Sequence, residues 1–111
     1  MKYFLEQTGN SMRVIATLQF MLAKMMRLSM PSICMINGHA YAGALIFALC
    51  HDFRIMREKS GKLCLSEINI GVTLPPAYAD IVKQLIPKQL LREMIMGRAC
   101  QIPEALKHNL I

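Results

Sequence analysis

The pattern of apolar and polar positions predicts helices towards both ends of the chain. Residues 11–29 carry apolar side chains three, four and seven positions apart, which indicates an amphipathic helix that packs into the core. Asn10 or Ser11 is a suitable cap for its start, and Pro31 stops it. The apolar stripe of this helix comprises Val14, Leu18, Met21, Leu22, Met25 and Leu28. Further helices are predicted over residues 77–86, 88–96 and 104–108.

Short apolar runs between turn-forming residues predict the strands. Residues 32–36 form such a run between Pro31 and the Asn37-Gly38 turn, which is typical of a strand buried on both faces. Residues 42–50 are almost all apolar, as in a helix buried on every side. The alternation of helix and strand favours one α/β domain with a largely parallel sheet. The other predicted strands span residues 53–56 and 63–65, and residues 67–76 form an ordered loop.

Composition narrows the class of protein. Of the 111 residues, 54% are apolar and 18% are charged, which excludes intrinsic disorder. A domain this small buries only about two thirds of its unfolded surface, so we expect either a tight core or faces that need a covering partner. The net charge is +6, but the basic residues are spread out, so nucleic acid is not an expected partner. Binding of the 11–29 helix to a membrane surface is a weaker alternative.

The cysteines and the chain termini bear on the compartment. None of the four cysteines has a second cysteine or a histidine at zinc-ligand spacing, so we expect free thiols and no metal site. The first twelve residues include Glu6 and lack a long apolar segment, so no secretory signal is expected. Polar Asn37 and His39 interrupt the apolar stretch at 33–50, which argues against a membrane span. The cysteines are Cys34, Cys50, Cys64 and Cys100.

Two local features could carry chemistry. Small residues around Gly43 open the buried helix, where backbone N–H groups lack helical partners and could hold an anionic oxygen. Close packing of a helix on a sheet would also require small residues there. Glu67 is a carboxylate inside an apolar run, a setting in which it could act as a general base. It could equally cap a turn or pair with Arg54 or Lys62.

Three motifs in order resemble the enoyl-CoA hydratase/isomerase (crotonase) superfamily. Its N-G-x-A-x-G-G-G pattern and buried helix are similar to residues 37–52, its Glu-containing loop to residues 66–75, and its Gly-to-Glu-Ala segment to residues 97–105. The resemblance is in particular to plant peroxisomal Δ3,Δ2-enoyl-CoA isomerases. It implies an α/β, partial crotonase-like fold, the ClpP/crotonase spiral of ββα units. The first motif is Asn37-Gly38-His39-Ala40-Tyr41-Ala42-Gly43-Ala44.

The resemblance also implies roles for site residues. Glu67 would be the base that moves a proton from C2 to C4 of an acyl-CoA, and the Gly43 N–H would hold the thioester oxygen as it gains enolate charge. Ala42, Gly43, Ile46 and Leu74 would contact the substrate, with Leu74 as a wall of the acyl pocket. Hydratases of the family carry a second glutamate where Ile46 stands, so Ile46 favours an isomerase. The CoA thioester is the substrate, and no further cofactor is implied.

Comparison with the length of family members indicates whether residues 1–111 form a whole domain. They are more than twice as long, so residues 1–111 would be a partial domain that lacks N-terminal strands and C-terminal helices. Such a chain is expected to be weakly active or inactive alone, and a homo-oligomer, a trimer in the family, if completed. The open alternative is a non-catalytic crotonase-like module that binds acyl-CoA or other subunits. The family implies β-oxidation in peroxisomes. Residues 108–111 do not end in a peroxisomal targeting tripeptide, so the cytoplasm is the alternative compartment.

Overall fold

The computed structural model describes the backbone from Lys2 to Ile111 and the side chains from Gly9 onward. The predicted α/β order is confirmed. The N-terminal segment on which the expectation of no secretory signal rests lies in part outside the described side chains. Within the described chain, no helix has the length and apolar character needed to cross a membrane. The elements are α1 (Lys2–Met25), β1 (Ile33–Ile36), β2 (Ala40–Tyr41), α2 (Gly43–Leu49), β3 (Phe53–Met56), β4 (Leu63–Cys64), a 3-10 helix (Glu67–Ile70), α3 (Pro76–Leu85), α4 (Lys88–Ile95) and α5 (Ile102–Lys107).

The strands form two parallel pairs. β1 pairs with β3, and β2 pairs with β4, so the predicted parallel arrangement is confirmed, but as two small sheets instead of one. Leu63 of β4 also exchanges two backbone hydrogen bonds with Cys100, at 3.0 and 2.7 Å. This antiparallel bridge fixes the segment before α5 against the second sheet.

The core surrounds α2, the helix that the apolar run at 42–50 predicts. Leu45, Ile46, Ala48 and Leu49 are all buried, and Ile46 is 0% exposed. A helix that is apolar on every face needs neighbours on every face. The same hydrophobic core includes side chains from other elements. These are Leu22, Leu63, Val82, Met94 and Ala105, all of them buried.

The structure contradicts the prediction that β1 is buried on both faces. Ile33 and Met35 are 60% and 80% exposed, and their register partners on β3, Phe53 and Ile55, are exposed as well. We call these four side chains the apolar sheet face. Side chains alternate across a strand, so the opposite face of the same pair contributes Ile36 to the core. An all-apolar run therefore did not guarantee that both faces are covered.

α1 differs from the prediction at both of its ends. The helix begins at Lys2, so Asn10 and Ser11 lie inside it and do not cap it, and it ends at Met25, well before Pro31. Its predicted stripe is also more exposed than expected. Of the six apolar residues in that stripe only Leu22 is buried, and Val14 is 66% exposed.

Candidate active site

The second sheet brings two candidate segments to one edge. β2 and β4 are parallel, with Tyr41 beside Cys64, and the N–H of Ala42 donates to the Cys64 carbonyl at 2.9 Å. Carboxyl ends of parallel strands lie on the same side of a sheet, where α/β proteins commonly bind ligands. The start of α2 therefore leaves the same edge as the loop that carries Glu67.

The start of α2 exposes unpartnered backbone donors. The Ala42 carbonyl accepts from the N–H groups of Leu45 and Ile46, at 3.0 and 3.2 Å. Among the described residues, the N–H groups of Gly43 and Ala44 have no acceptor. A Cβ at position 43 would meet Leu18 Cδ2 at 3.8 Å, which is ordinary van der Waals contact. The glycine is thus not demanded by close packing alone, the alternative that the sequence left open.

The backbone at Ala42 is strained. Its φ is 51° and its ψ is −125°, a conformation that residues with a Cβ rarely adopt. The resembled motif has a glycine at this position, where no such penalty arises. Strain at a site-forming turn costs about 1–3 kcal/mol and persists because the surrounding contacts impose it. Here those contacts are the Ala42–Cys64 hydrogen bond on one side and the helix on the other.

Glu67 is held at the start of the 3-10 helix, with its side chain buried. It is 9% exposed, and its Oε2 atom has no hydrogen-bond partner in the described part of the protein. Its carbonyl accepts from the Val72 N–H at 3.0 Å, which closes the loop. Neither Arg54 nor Lys62 forms an ion pair with it: Arg54 instead donates to the carbonyls of Leu110 and His51, each at 2.6 Å.

A cavity of about 420 Å³ lies in front of Glu67. Leu74 lines the same cavity, so the structure brings these two predicted residues together. Ala42 and Gly43 do not line this cavity, and Ile46 lies in the core. The wall is apolar apart from Glu67 and Thr73, as suits a hydrocarbon chain. The lining residues are Leu65, Glu67, Ile68, Gly71, Val72, Thr73, Leu74 and Ile95.

Tyr78 is a buried polar group that the sequence did not indicate. It lies on α3, is 5% exposed, and its hydroxyl has no hydrogen-bond partner in the described structure. Burial raises the pKa of Tyr78, and the nearby Cys50 and Glu67 raise it further. A tyrosine on an amphipathic helix carries no sequence signal of such a setting. Only the packing of α3 on α2 reveals it.

The cysteines and histidines occupy structural positions. All four thiols are free, and burial raises the pKa of Cys100 to about 11, so that thiol is protonated at neutral pH. Nδ1 of His51 lies 2.9 Å from the Phe47 carbonyl, which fixes the ring after α2. Three or more potential metal-binding side chains do not come together anywhere in the described residues.

Comparison with known proteins adds independent information. Residues 5–111 match the family model described as enoyl-CoA hydratase/isomerase. Among curated proteins of Arabidopsis thaliana, peroxisomal enoyl-CoA delta isomerase 2 is 33% identical over 85% of this chain, and enoyl-CoA delta isomerase 3 is 31% identical over 89%. The chain covers 40% and 42% of those two proteins. It thus spans about two fifths of their length.

Solved structures match the fold. An enoyl-CoA hydratase/isomerase family protein from Silicibacter pomeroyi superposes with a TM-score of 0.84, over 96% of this chain and 45% of that chain. The two sequences are 20% identical, so this match concerns the fold alone.

Proposed function

The chain belongs to the enoyl-CoA hydratase/isomerase family, and on that premise we propose that it serves the Δ3,Δ2 isomerisation of enoyl-CoA thioesters in fatty-acid β-oxidation. The observation that carries the proposal is Glu67: it is a buried carboxylate with an unpartnered oxygen, and it lines an apolar cavity of about 420 Å³. The names of the Arabidopsis relatives support the isomerase subclass. A peroxisomal site of action is part of the same proposal.

The proposed reaction needs one base and one oxyanion donor. Glu67 removes a proton from C2 of the 3-enoyl thioester, and the electron pair delocalises into the thioester carbonyl, which places charge on its oxygen, and through the C3–C4 double bond onto C4. The N–H of Gly43 donates to that oxygen as it gains negative charge. Glu67 then returns the proton to C4, so that the double bond lies between C2 and C3. No atom is gained or lost, and Glu67 ends in its starting form.

The residue at position 46 favours isomerisation over hydration. Adding water to a double bond uses a second carboxylate, whereas moving the bond does not. Ile46 is 0% exposed in the core and brings no carboxylate to the site. In this proposal Leu74 forms the wall for the acyl chain, and Ala42 shapes the turn that presents the Gly43 N–H.

The decisive variant is Glu67→Gln, which keeps the shape and removes the base. We expect a chain with the N-terminal half of the family's domain restored to convert a 3-enoyl-CoA to the trans-2-enoyl-CoA, the 111-residue chain to do so weakly at most, and the variant of the restored chain to lose that activity by at least about a hundredfold. Glu58→Gln, an exposed carboxylate in the turn before β4, is the matched control and should keep full activity. Hydration of 2-enoyl-CoA is measured in parallel. Undiminished isomerisation by Glu67→Gln would refute the base assignment, and hydration at a comparable rate would refute the subclass.

The second candidate function is a non-catalytic module that binds acyl-CoA or associates with other subunits. A binding measurement distinguishes it from the proposed isomerase. The exposed apolar sheet face is the observation that favours this candidate, since exposed apolar patches mark interaction sites. Calorimetric titration of the wild-type chain with an acyl-CoA tests it. Binding without isomerisation would favour the module, and isomerisation that depends on Glu67 would exclude a non-catalytic role.

A further inference from the structure

The mouth of the candidate active-site cavity is apolar, as its wall is. Ile68, Val72 and Ile95 line the cavity and are also exposed to solvent. Two apolar side chains close to them in sequence, Ile70 and Met96, are 74% and 73% exposed. We call these five side chains the apolar rim. Single exposed apolar residues are common on protein surfaces, but a group of them beside a cavity marks a binding surface.

A close approach of the backbone joins the two segments that carry the rim. Three rim residues belong to the 3-10 helix and the turn after it, and the other two lie at the end of α4, directly before Gly97. A Cβ built on Gly97 would lie 3.4 Å from Cγ2 of Ile68 and 2.9 Å from Oδ1 of Asn69. The end of α4 therefore packs directly on the 3-10 helix, so the five side chains belong to one surface.

The rim offers no charge to a ligand. Residues 68–79 contain no charged side chain. Beyond the end of α4, the guanidinium of Arg98 is engaged in ion pairs with Glu93 and Glu104. The rim is also continuous with the cavity that Glu67 lines. An uncharged surface that continues an apolar cavity suits a hydrocarbon chain, which makes no hydrogen bonds and enters the same cavity.

We propose that the apolar rim binds the distal part of a long acyl chain: the carbons near the thioester lie at Glu67, and the remaining methylenes run out over Ile70 and Met96. The proposal deepens the proposed function and rests on it for the position of the reacting carbons. It assigns the site to acyl-CoA thioesters whose chains are longer than the cavity encloses. A methylene that leaves water completely strengthens binding about fourfold, and one that an open rim covers on a single side does so about twofold.

The first test compares two chain lengths. Calorimetric titration of the 111-residue chain with butanoyl-CoA and dodecanoyl-CoA, both below the concentration at which they form micelles, should show at least about tenfold tighter binding of dodecanoyl-CoA. The double variant Ile70→Ser with Met96→Ser should weaken dodecanoyl-CoA binding about tenfold and butanoyl-CoA binding less than about twofold.

The matched control is Ile33→Ser with Met35→Ser, which removes the same two residue types from the apolar sheet face and should change neither affinity. The proposal is overturned if the rim variant weakens both thioesters equally, if the control loses as much as the rim variant, or if neither thioester binds to the wild-type chain.

The second test uses the wild-type chain and so does not depend on the folding of a variant. The ε-methyl NMR signal of Met96, assigned through its loss in Met96→Leu, should shift on addition of dodecanoyl-CoA and stay in place with butanoyl-CoA. The ε-methyl signal of Met35, assigned in the same way, should stay in place with both thioesters. A Met96 signal that ignores dodecanoyl-CoA, or that responds equally to both, overturns the proposal.

A second copy of the chain is the competing occupant of the rim, and sedimentation distinguishes it. If the wild-type chain is a dimer that Ile70→Ser with Met96→Ser separates, while the affinity for dodecanoyl-CoA is unchanged, the rim is a subunit contact and the proposal is overturned. None of these measurements requires isomerisation. Length-dependent binding by a chain that never isomerises would refute the proposed function alone, and Glu67-dependent isomerisation with equal binding of both thioesters would refute the role of the rim alone.

Discussion

Replacing Ala42 by glycine should make the protein more stable, which is unusual for a substitution that removes a methyl group. The residue has a φ of 51° and a ψ of −125°, held by the hydrogen bond to Cys64 and by the start of α2. Glycine adopts positive φ without a steric penalty. The same substitution would restore the glycine of the motif that this chain resembles.

The expected gain is the difference between three contributions. Relief of the strained backbone is worth about 1–3 kcal/mol. Glycine adds conformational entropy to the unfolded chain, which offsets about 0.4–1 kcal/mol. Ala42 is only half-buried, so the lost methyl contact costs less than the ~0.8 kcal/mol of a fully buried methylene. The net expectation is a stabilisation of about 1 kcal/mol.

Urea denaturation followed by circular dichroism measures this difference in the free energy of unfolding. Ala44→Gly is the matched control: it removes the same methyl two residues later, at an exposed position inside α2 with helical backbone. The control should be destabilised by about 0.5–1 kcal/mol. The two variants should therefore move in opposite directions. If Ala42→Gly loses as much stability as Ala44→Gly, position 42 is not strained and the reasoning fails.

Two further substitutions test other parts of the fold. Gly61→Ala should lower the free energy of unfolding, measured by urea denaturation, by about 3 kcal/mol, because φ is +129° and the added Cβ would clash with the Gly38 carbonyl oxygen. A loss below about 1 kcal/mol would contradict this. Ser32→Ala should reduce the loss of stability at acidic pH. Hydrogen bonds from the Ser32 N–H and hydroxyl hold the pKa of Asp52 below its ordinary value of 3.8. These bonds to the ionised carboxylate stabilise the folded protein fully above pH 3.8, and their contribution disappears as the pH falls through the lower pKa of Asp52 in the folded state. Unfolding free energies measured across the acid range check it, and an unchanged pH dependence would count against it.

The sequence predicted the elements better than their surroundings. Prolines and glycines separate most helices and strands, so their boundaries could be placed closely, as for β3 over Phe53–Met56. The start of α1 was missed because Gly9, Asn10 and Ser11 favour helix ends, whereas here the helix continues through them. Local preference of that kind is weak, and the rest of a 24-residue helix outweighs it.

Burial depends on neighbours that a single run of residues does not reveal. The apolar run of β1 was interpreted as buried on both faces, yet Met35 is 80% exposed. The candidate site likewise contains residues that the sequence indicates and one that it does not. Glu67 and Leu74 could be singled out from a motif, and the structure places both at one cavity. Tyr78 could not, because the burial of its hydroxyl depends on how α3 packs.

The apolar sheet face bears on the lifetime of the chain in a cell. Exposed apolar strands are surfaces that chaperones bind and that promote aggregation. A chain that displays Ile33, Met35, Phe53 and Ile55 together would be retained or degraded by quality control unless another surface covers them. Its abundance would then follow the supply of that covering surface more closely than its own rate of synthesis.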